Sequence, residues 1–334
     1  MTELDSDSAY AMVCHGPGRL LRGERRPLPA PRPDEILVKV LACGVCRTDL
    51  HVVDGEIPAS YPIVPGHEIV GKVLATGRDA TGFALGQRVG IPWLGHTCGH
   101  CRYCKEGQEN LCETPQFTGA SRDGGYATHV VADARFCFAL PEGLSDLEAA
   151  PLLCAGLIGW RAYRMAGPGR RIGLYGFGAA AHILAQLAVA EGRDVLAFTR
   201  EGDVDAQQFA RTLGCSWAGA STAQPEEPLD AAIIFAPVGA LVPAALKAVR
   251  KGGRVVCAGI HMSDIPSFPY ADLWGERHVL SVANLTREDG LTFLTPDIVG
   301  KLKSHAVPFP LADANRALAE LREGRLQGVA VLVP

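Results

Sequence analysis

The chain has 334 residues, 48% of them hydrophobic, which is enough for two domains of ordinary size with a core each. A formal net charge of -4 leaves no basic stripe for nucleic acid and no strong field of either sign, so the expected partner is a small neutral or weakly charged molecule. The acidic start M-T-E-L-D-S-D-S-A-Y is the opposite of a signal or transit peptide, and no run of about 18 apolar residues could span a bilayer; a cytoplasmic protein is expected, without membrane or nucleic-acid partners.

In chain order, the first third carries short β-rich runs between Gly and Pro clusters, such as I-L-V-K-V-L-A at 36–42 and E-I-V-G-K-V-L at 68–74, with helical periodicity nearly absent. This predicts an irregular β-rich domain. From about Ser145 the texture changes. An amphipathic stretch S-D-L-E-A-A-P-L-L-C leads to strand-like R-I-G-L-Y-G, helix-like A-A-A-H-I-L-A-Q-L-A-V-A and strand-like R-D-V-L-A-F-T, an alternation that implies βαβ units and a parallel sheet. The pattern continues through L-D-A-A-I-I-F-A, helical L-V-P-A-A-L-K-A-V-R and the strand G-R-V-V-C-A-G. The fold class is therefore α/β: a doubly wound domain over 154–285 joined to the irregular β-rich domain over 1–153. A helix L-A-D-A-N-R-A-L-A-E-L-R-E-G and a strand G-V-A-V-L-V-P fill 286–334.

Eleven cysteines without an export signal point to metal ligands and small buried side chains, not to a disulfide framework. Four of them, Cys98, Cys101, Cys104 and Cys112, follow one another with two, two and seven intervening residues, so one compact loop carries four thiolates. Such a shell leaves no room for water and describes a closed, structural zinc site; an iron–sulfur cluster with the same ligands and a redox loop are the alternatives. His96 and His100 flank the loop and are expected outside the ligand shell. Cys14, Cys43, Cys137, Cys215 and Cys257 are expected to be buried.

A second group of soft ligands lies in C-G-V-C-R-T-D-L-H (Cys43 to His51), in G-H-E (Gly66 to Glu68) and in P-L-L-C-A-G-L-I-G around Cys154. Two thiolates and one imidazole suit a catalytic zinc whose fourth position stays open. These segments, in this order, resemble the zinc-containing alcohol dehydrogenases of the medium-chain dehydrogenase/reductase superfamily, and the resemblance covers essentially the whole chain. It implies a GroES-like catalytic domain to which the C-terminal segment returns, two zinc ions per chain, and a homo-oligomer, dimer or tetramer. It makes Cys46, His67 and Cys154 the catalytic ligands and Cys43 a bystander. It gives Thr48 the role of taking the alcohol proton and His51 that of delivering it to solvent, by way of the nicotinamide ribose. Asp49 would orient the His67 imidazole, Glu68 would stand near zinc, and Arg47 would meet the cofactor pyrophosphate. Taken singly, Thr48 and Asp49 are as readily a turn or helix cap, and His51 a surface residue.

The run Gly176, Phe177, Gly178, Ala179, Ala180 and Ala181 follows a predicted strand and opens a predicted helix, the context of a Rossmann dinucleotide fingerprint with Ala in its third place. At the end of the next strand, where an Asp or Glu would hold the ribose of NAD(H), stand Thr199 and Arg200; this favours NADP(H), although Glu201 follows directly. Trp93 matches the family position for a bulky aromatic in the alcohol pocket, with Ile57 and Phe117 as companions; plain core packing is its other reading. The expected activity is hydride transfer between a primary alcohol or aldehyde and a nicotinamide cofactor. A non-catalytic nucleotide-binding or structural member and a zinc-free quinone reductase are the rival readings.

Overall fold

The computed structural model describes residues 8–326 and 328–334. Its chain forms two compact units, one of residues 1–154 with 284–334 and one of residues 155–283. No described helix is long and apolar enough to cross a membrane.

In the first unit a sheet of seven strands is built around Glu35–Gly44. Its sequence E-I-L-V-K-V-L-A-C-G is buried on both sides over most of its length, because one edge pairs with Glu68–Thr76 and the other with His129–Asp133 and Val329–Val333. Leu332 lies opposite Cys43, so the C-terminal strand completes the sheet at the end where the cysteine motif begins. On the opposite edge Gly44 pairs with Glu68. That register brings the start of C-G-V-C-R-T-D and the start of G-H-E to one end of one strand pair. The helix-poor expectation for this region misses the helix Arg47–Asp54. Eight residues give little periodicity to read, and this helix is set by its ends: Cys46 and Asp49 form the N-terminal capping box, and Gly55 closes it with φ 80°.

The second unit holds a six-stranded, wholly parallel sheet. Numbered along the chain from Arg171–Tyr175 to His278–Ser281, the strands lie in the order 3-2-1-4-5-6, which is the doubly wound Rossmann order. The strand sequences read as unbroken apolar runs because helices cover both faces of such a sheet. Two local expectations change. The stretch from Ser145 is a four-residue helix, Asp146–Ala149, followed by a 3₁₀ turn, Ala150–Leu153, with Pro151 near its start. The helix expected over 241–250 ends at Ala248, since Val249 already pairs with Leu229 in the sheet.

Candidate metal centre and nucleotide-binding turn

The helix Arg47–Asp54 does two jobs at its first turn. The Cys46 sulfur accepts a hydrogen bond from the Thr48 amide at 3.3 Å, and Asp49 Oδ2 accepts one from the Cys46 amide at 2.9 Å. The cap therefore fixes the direction of the thiol. From the neighbouring strand pair His67 brings Nε2 to 3.3 Å from Cys46 Sγ, and from the 3₁₀ turn Cys154 brings its sulfur to 3.9 Å from the same atom. Leu153, next in chain, packs so closely on Gly90 that a Cβ there would lie 2.5 Å from its methyl carbon. A tetrahedral ion about 2.3 Å from each of two sulfurs separates them by roughly 3.8 Å, so the spacing fits one zinc ion.

Asp49 and His67 are completely buried, with Asp49 Oδ1 2.9 Å from His67 Nδ1. The carboxylate thereby holds the proton on Nδ1 and turns the Nε2 lone pair toward Cys46. Asp49 also accepts from the Gly66 amide at 3.2 Å and from the Tyr126 hydroxyl at 3.1 Å. Glu68 is buried as well, and its Oε2 has no hydrogen-bond partner among the described residues. It lies against Gly44, where any Cβ would come within 1.8 Å of Oε2.

The electrostatics fit a cation. The hydrogen bond from Cys154 holds the Cys46 thiol well below its ordinary value against the effect of burial, and His67 adds to this. Donating that bond, together with burial, pushes Cys154 well up. Burial, and then the charge of Cys46, pushes Glu68 well up. For His67 burial alone would lower the value, but Asp49 and Cys46 reverse it. A divalent ion at this point would offset the burial that raises Glu68 and Cys154.

Cys98, Cys101, Cys104 and Cys112 have their sulfurs within 4.8 Å of one another, as the spacing predicts. Backbone amides point at the sulfurs: Cys98 to Cys112 at 3.4 Å, Cys101 to Cys98 at 3.3 Å and Thr114 to Cys112 at 3.4 Å. Backbone hydrogen bonds, foremost at His100, bring Cys98 down to about 6, whereas burial raises Cys104 to about 11. His96 turns away to Asp133 at 2.7 Å, and His100 bonds the Cys98 carbonyl at 2.9 Å, so neither is in the shell. The five remaining cysteines are all buried, and all eleven are free.

Thr48 is buried in the helix turn that Cys46 caps, Arg47 is exposed, and His51 is half-buried with Nδ1 paired to Glu56 Oε2. Trp93 meets the His67 ring edge-on, centroids 5.0 Å apart, and stacks on Phe117 at 5.0 Å with 14° between planes. Ile57 packs against the same core. Trp93 is part of the core.

In the second unit Gly176 has φ 87°, and a Cβ there would lie 2.8 Å from Ala236. Gly178 caps the helix Ala179–Ala190 without any side-chain bond, so the first-turn amides are open to an anion. Phe177, Ala179 and Ala180 are partly exposed around this turn, and Ala181 is buried against the sheet. Thr199 is buried, bonding the Arg200 carbonyl at 3.1 Å and accepting from Gln207 Nε2 at 3.0 Å, which turns its hydroxyl inward. The Arg200 side chain is exposed.

Sequence reasoning misses Glu56, Gly44 and Tyr126. Glu56 could be found from its place just past the helix-ending Gly55, facing back on His51; nothing in the sequence singles out the other two.

Residues 32–142 match the alcohol dehydrogenase GroES-like domain. Over 315 residues the chain is 47% identical to "Probable alcohol dehydrogenase AdhA" of Mycobacterium tuberculosis, covering 92% of this chain and 90% of that one. It is 36% identical over 335 residues to an alcohol dehydrogenase of Moraxella sp., covering 96% and 98%. Among solved structures it is similar to a cobalt- and zinc-bound thermostable alcohol dehydrogenase from Pyrobaculum aerophilum, with TM-score 0.87, 29% identity and 98% and 100% of the two chains covered.

Proposed function

This chain belongs to the zinc-containing alcohol dehydrogenases of the medium-chain dehydrogenase/reductase superfamily, and on that premise we propose that it interconverts primary alcohols and aldehydes with a nicotinamide cofactor. The observation that carries this reading is the cluster of Cys46, His67 and Cys154, with 3.3 and 3.9 Å between ligand atoms and the Trp93 ring against it. Those three residues would hold a catalytic zinc, and Cys98, Cys101, Cys104 and Cys112 a structural one. When bound, the catalytic ion supplies Lewis acidity that makes an alcohol hydroxyl easier to ionise. Thr48 would accept the substrate's hydroxyl proton on its side-chain oxygen only as its own hydroxyl proton is passed on toward His51. His51, steadied by Glu56, stands at the boundary with water and releases a proton there. Asp49 keeps the His67 tautomer, and Trp93 with Phe117 gives the substrate chain an apolar wall.

For the cofactor, the uncapped helix start at Gly178 would receive the pyrophosphate. NADP(H) is favoured by Arg200 alone, since the Thr199 hydroxyl is engaged within the unit. Homo-oligomers in the cytoplasm are the expected form.

The test is elemental analysis of the unchelated protein, followed by assays on a panel of alcohols and aldehydes with each cofactor. Two zinc ions per chain and reduction of aldehydes are expected. A protein carrying two zinc ions that reduces no aldehyde with either cofactor would refute the reading.

A further inference from the structure

Tyr126 is completely buried, and its place is fixed by the main chain. The segment Gly124, Gly125 and Tyr126 is zipped to Val64, Pro65 and Gly66 by three amide–carbonyl bonds of 2.7, 3.0 and 2.9 Å, and the Tyr126 carbonyl accepts from Met12 at 2.8 Å. The ring lies directly on the backbone ahead of His67. A Cβ on Gly66 would come within 2.4 Å of Tyr126 Cδ1, and Gly66 has φ +98° besides, so the contact excludes every larger residue. With the ring so placed, the hydroxyl reaches Asp49 Oδ2 at 3.1 Å.

That bond completes an arrangement in which each Asp49 oxygen has two partners. Oδ1 meets the Gly66 amide and His67 Nδ1; Oδ2 meets the Cys46 amide and the Tyr126 hydroxyl. Three of these partners sit on or beside the ligands Cys46 and His67. Tyr126 alone comes from a separate stretch of chain, so it ties the carboxylate to a segment that carries none of the three ligands. Phenylalanine would fill the same space, so the hydroxyl is not needed for packing.

We propose that Tyr126 is a positioning residue for the metal centre: its hydroxyl anchors Asp49, and through Asp49 it holds Cys46 and His67 in the ligating arrangement. The proposal rests on the reading of Cys46, His67 and Cys154 as a metal site. Removing a partner that orients a ligand typically costs about 10- to 100-fold in metal affinity.

The experiment uses zinc-loaded full-length protein and follows zinc release to a chromogenic chelator in the parent, Tyr126→Phe, Asp49→Asn, the double variant and Cys46→Ser. Tyr126→Phe should fold, melt within about 3 °C of the parent, and release one zinc equivalent roughly tenfold faster while the second equivalent leaves at the parent's rate. The double variant should release that equivalent no faster than Asp49→Asn, because the hydroxyl acts through the carboxylate. The cobalt(II) form of Tyr126→Phe should show shifted visible bands. If Cys46→Ser keeps the parent's full zinc content, the metal reading is wrong and the proposal falls with it. If Cys46→Ser loses one equivalent while Tyr126→Phe releases zinc at the parent's rate with unshifted cobalt bands, the proposal alone is overturned.

Discussion

Asp49 spans only two side-chain oxygens, yet it decides the tautomer of His67, the start of a helix and the direction of a thiol. Single atoms of this kind set the sharpest expectations. Thr48→Ala removes the hydroxyl proposed to relay the substrate proton and leaves the amide bond to Cys46 intact; turnover should fall by roughly 100- to 10,000-fold with cofactor binding unchanged by fluorescence titration. His51→Gln acts one step further from the substrate and should cost less, with activity partly restored by added buffer bases. The phosphate reading hangs on one guanidinium. Arg200→Asp should lower kcat/KM for NADPH by about 10- to 150-fold, the equivalent of about 1.5 to 3 kcal/mol, and raise the relative use of NADH. A parent enzyme that prefers NADH would contradict this assignment.

Among the elements, the cysteine loop and the short helix Arg47–Asp54 divide the labour. The loop carries four thiols in fifteen residues and only two very short helical turns, so the proposed metal would provide its core. Cys104→Ser should therefore reduce the yield of folded protein and lower Tm by roughly 10 °C, several kcal/mol, whereas Cys46→Ser should leave Tm nearly unchanged and abolish turnover. The strand His129–Asp133 supports the loop through Asp133, which binds His96 at 2.7 Å and Arg135 at 2.6 Å. Burial alone would raise this carboxyl, but the bonds from Arg135 and His96 hold it below the usual range. A depressed carboxyl stabilises the fold above its unfolded value, about 3.9, and that contribution is lost as pH falls through the folded value. Asp133→Asn should lower Tm at pH 7, and the gap to the parent should close below roughly pH 4.

At the level of the whole molecule, the alternation of strand and helix over the second unit was enough to predict a doubly wound sheet, because parallel strands buried on both faces must be apolar throughout and their helices must be amphipathic. The two ligand sets were legible for a different reason. Metal chemistry admits few residue types, and the closed set lies within one loop. The open set was legible only through family resemblance, since Cys46 lies 21 residues from His67 and 108 from Cys154. What joins those three is the register that sets Gly44 opposite Glu68 and the packing of Leu153 on Gly90. Gly44 and Tyr126 carry no signature, because a glycine or a tyrosine acquires its role only from what stands opposite. Sequence by itself determined the sheet class, the four-cysteine loop and the glycine-rich turn between strand and helix, all of which follow from residue type and local spacing. Tertiary structure alone decided that the Thr199 hydroxyl faces inward, that Trp93 stacks on Phe117, and that Asp49 is anchored by a residue 77 positions away, because these depend on distances set by strand pairing and not by chain order.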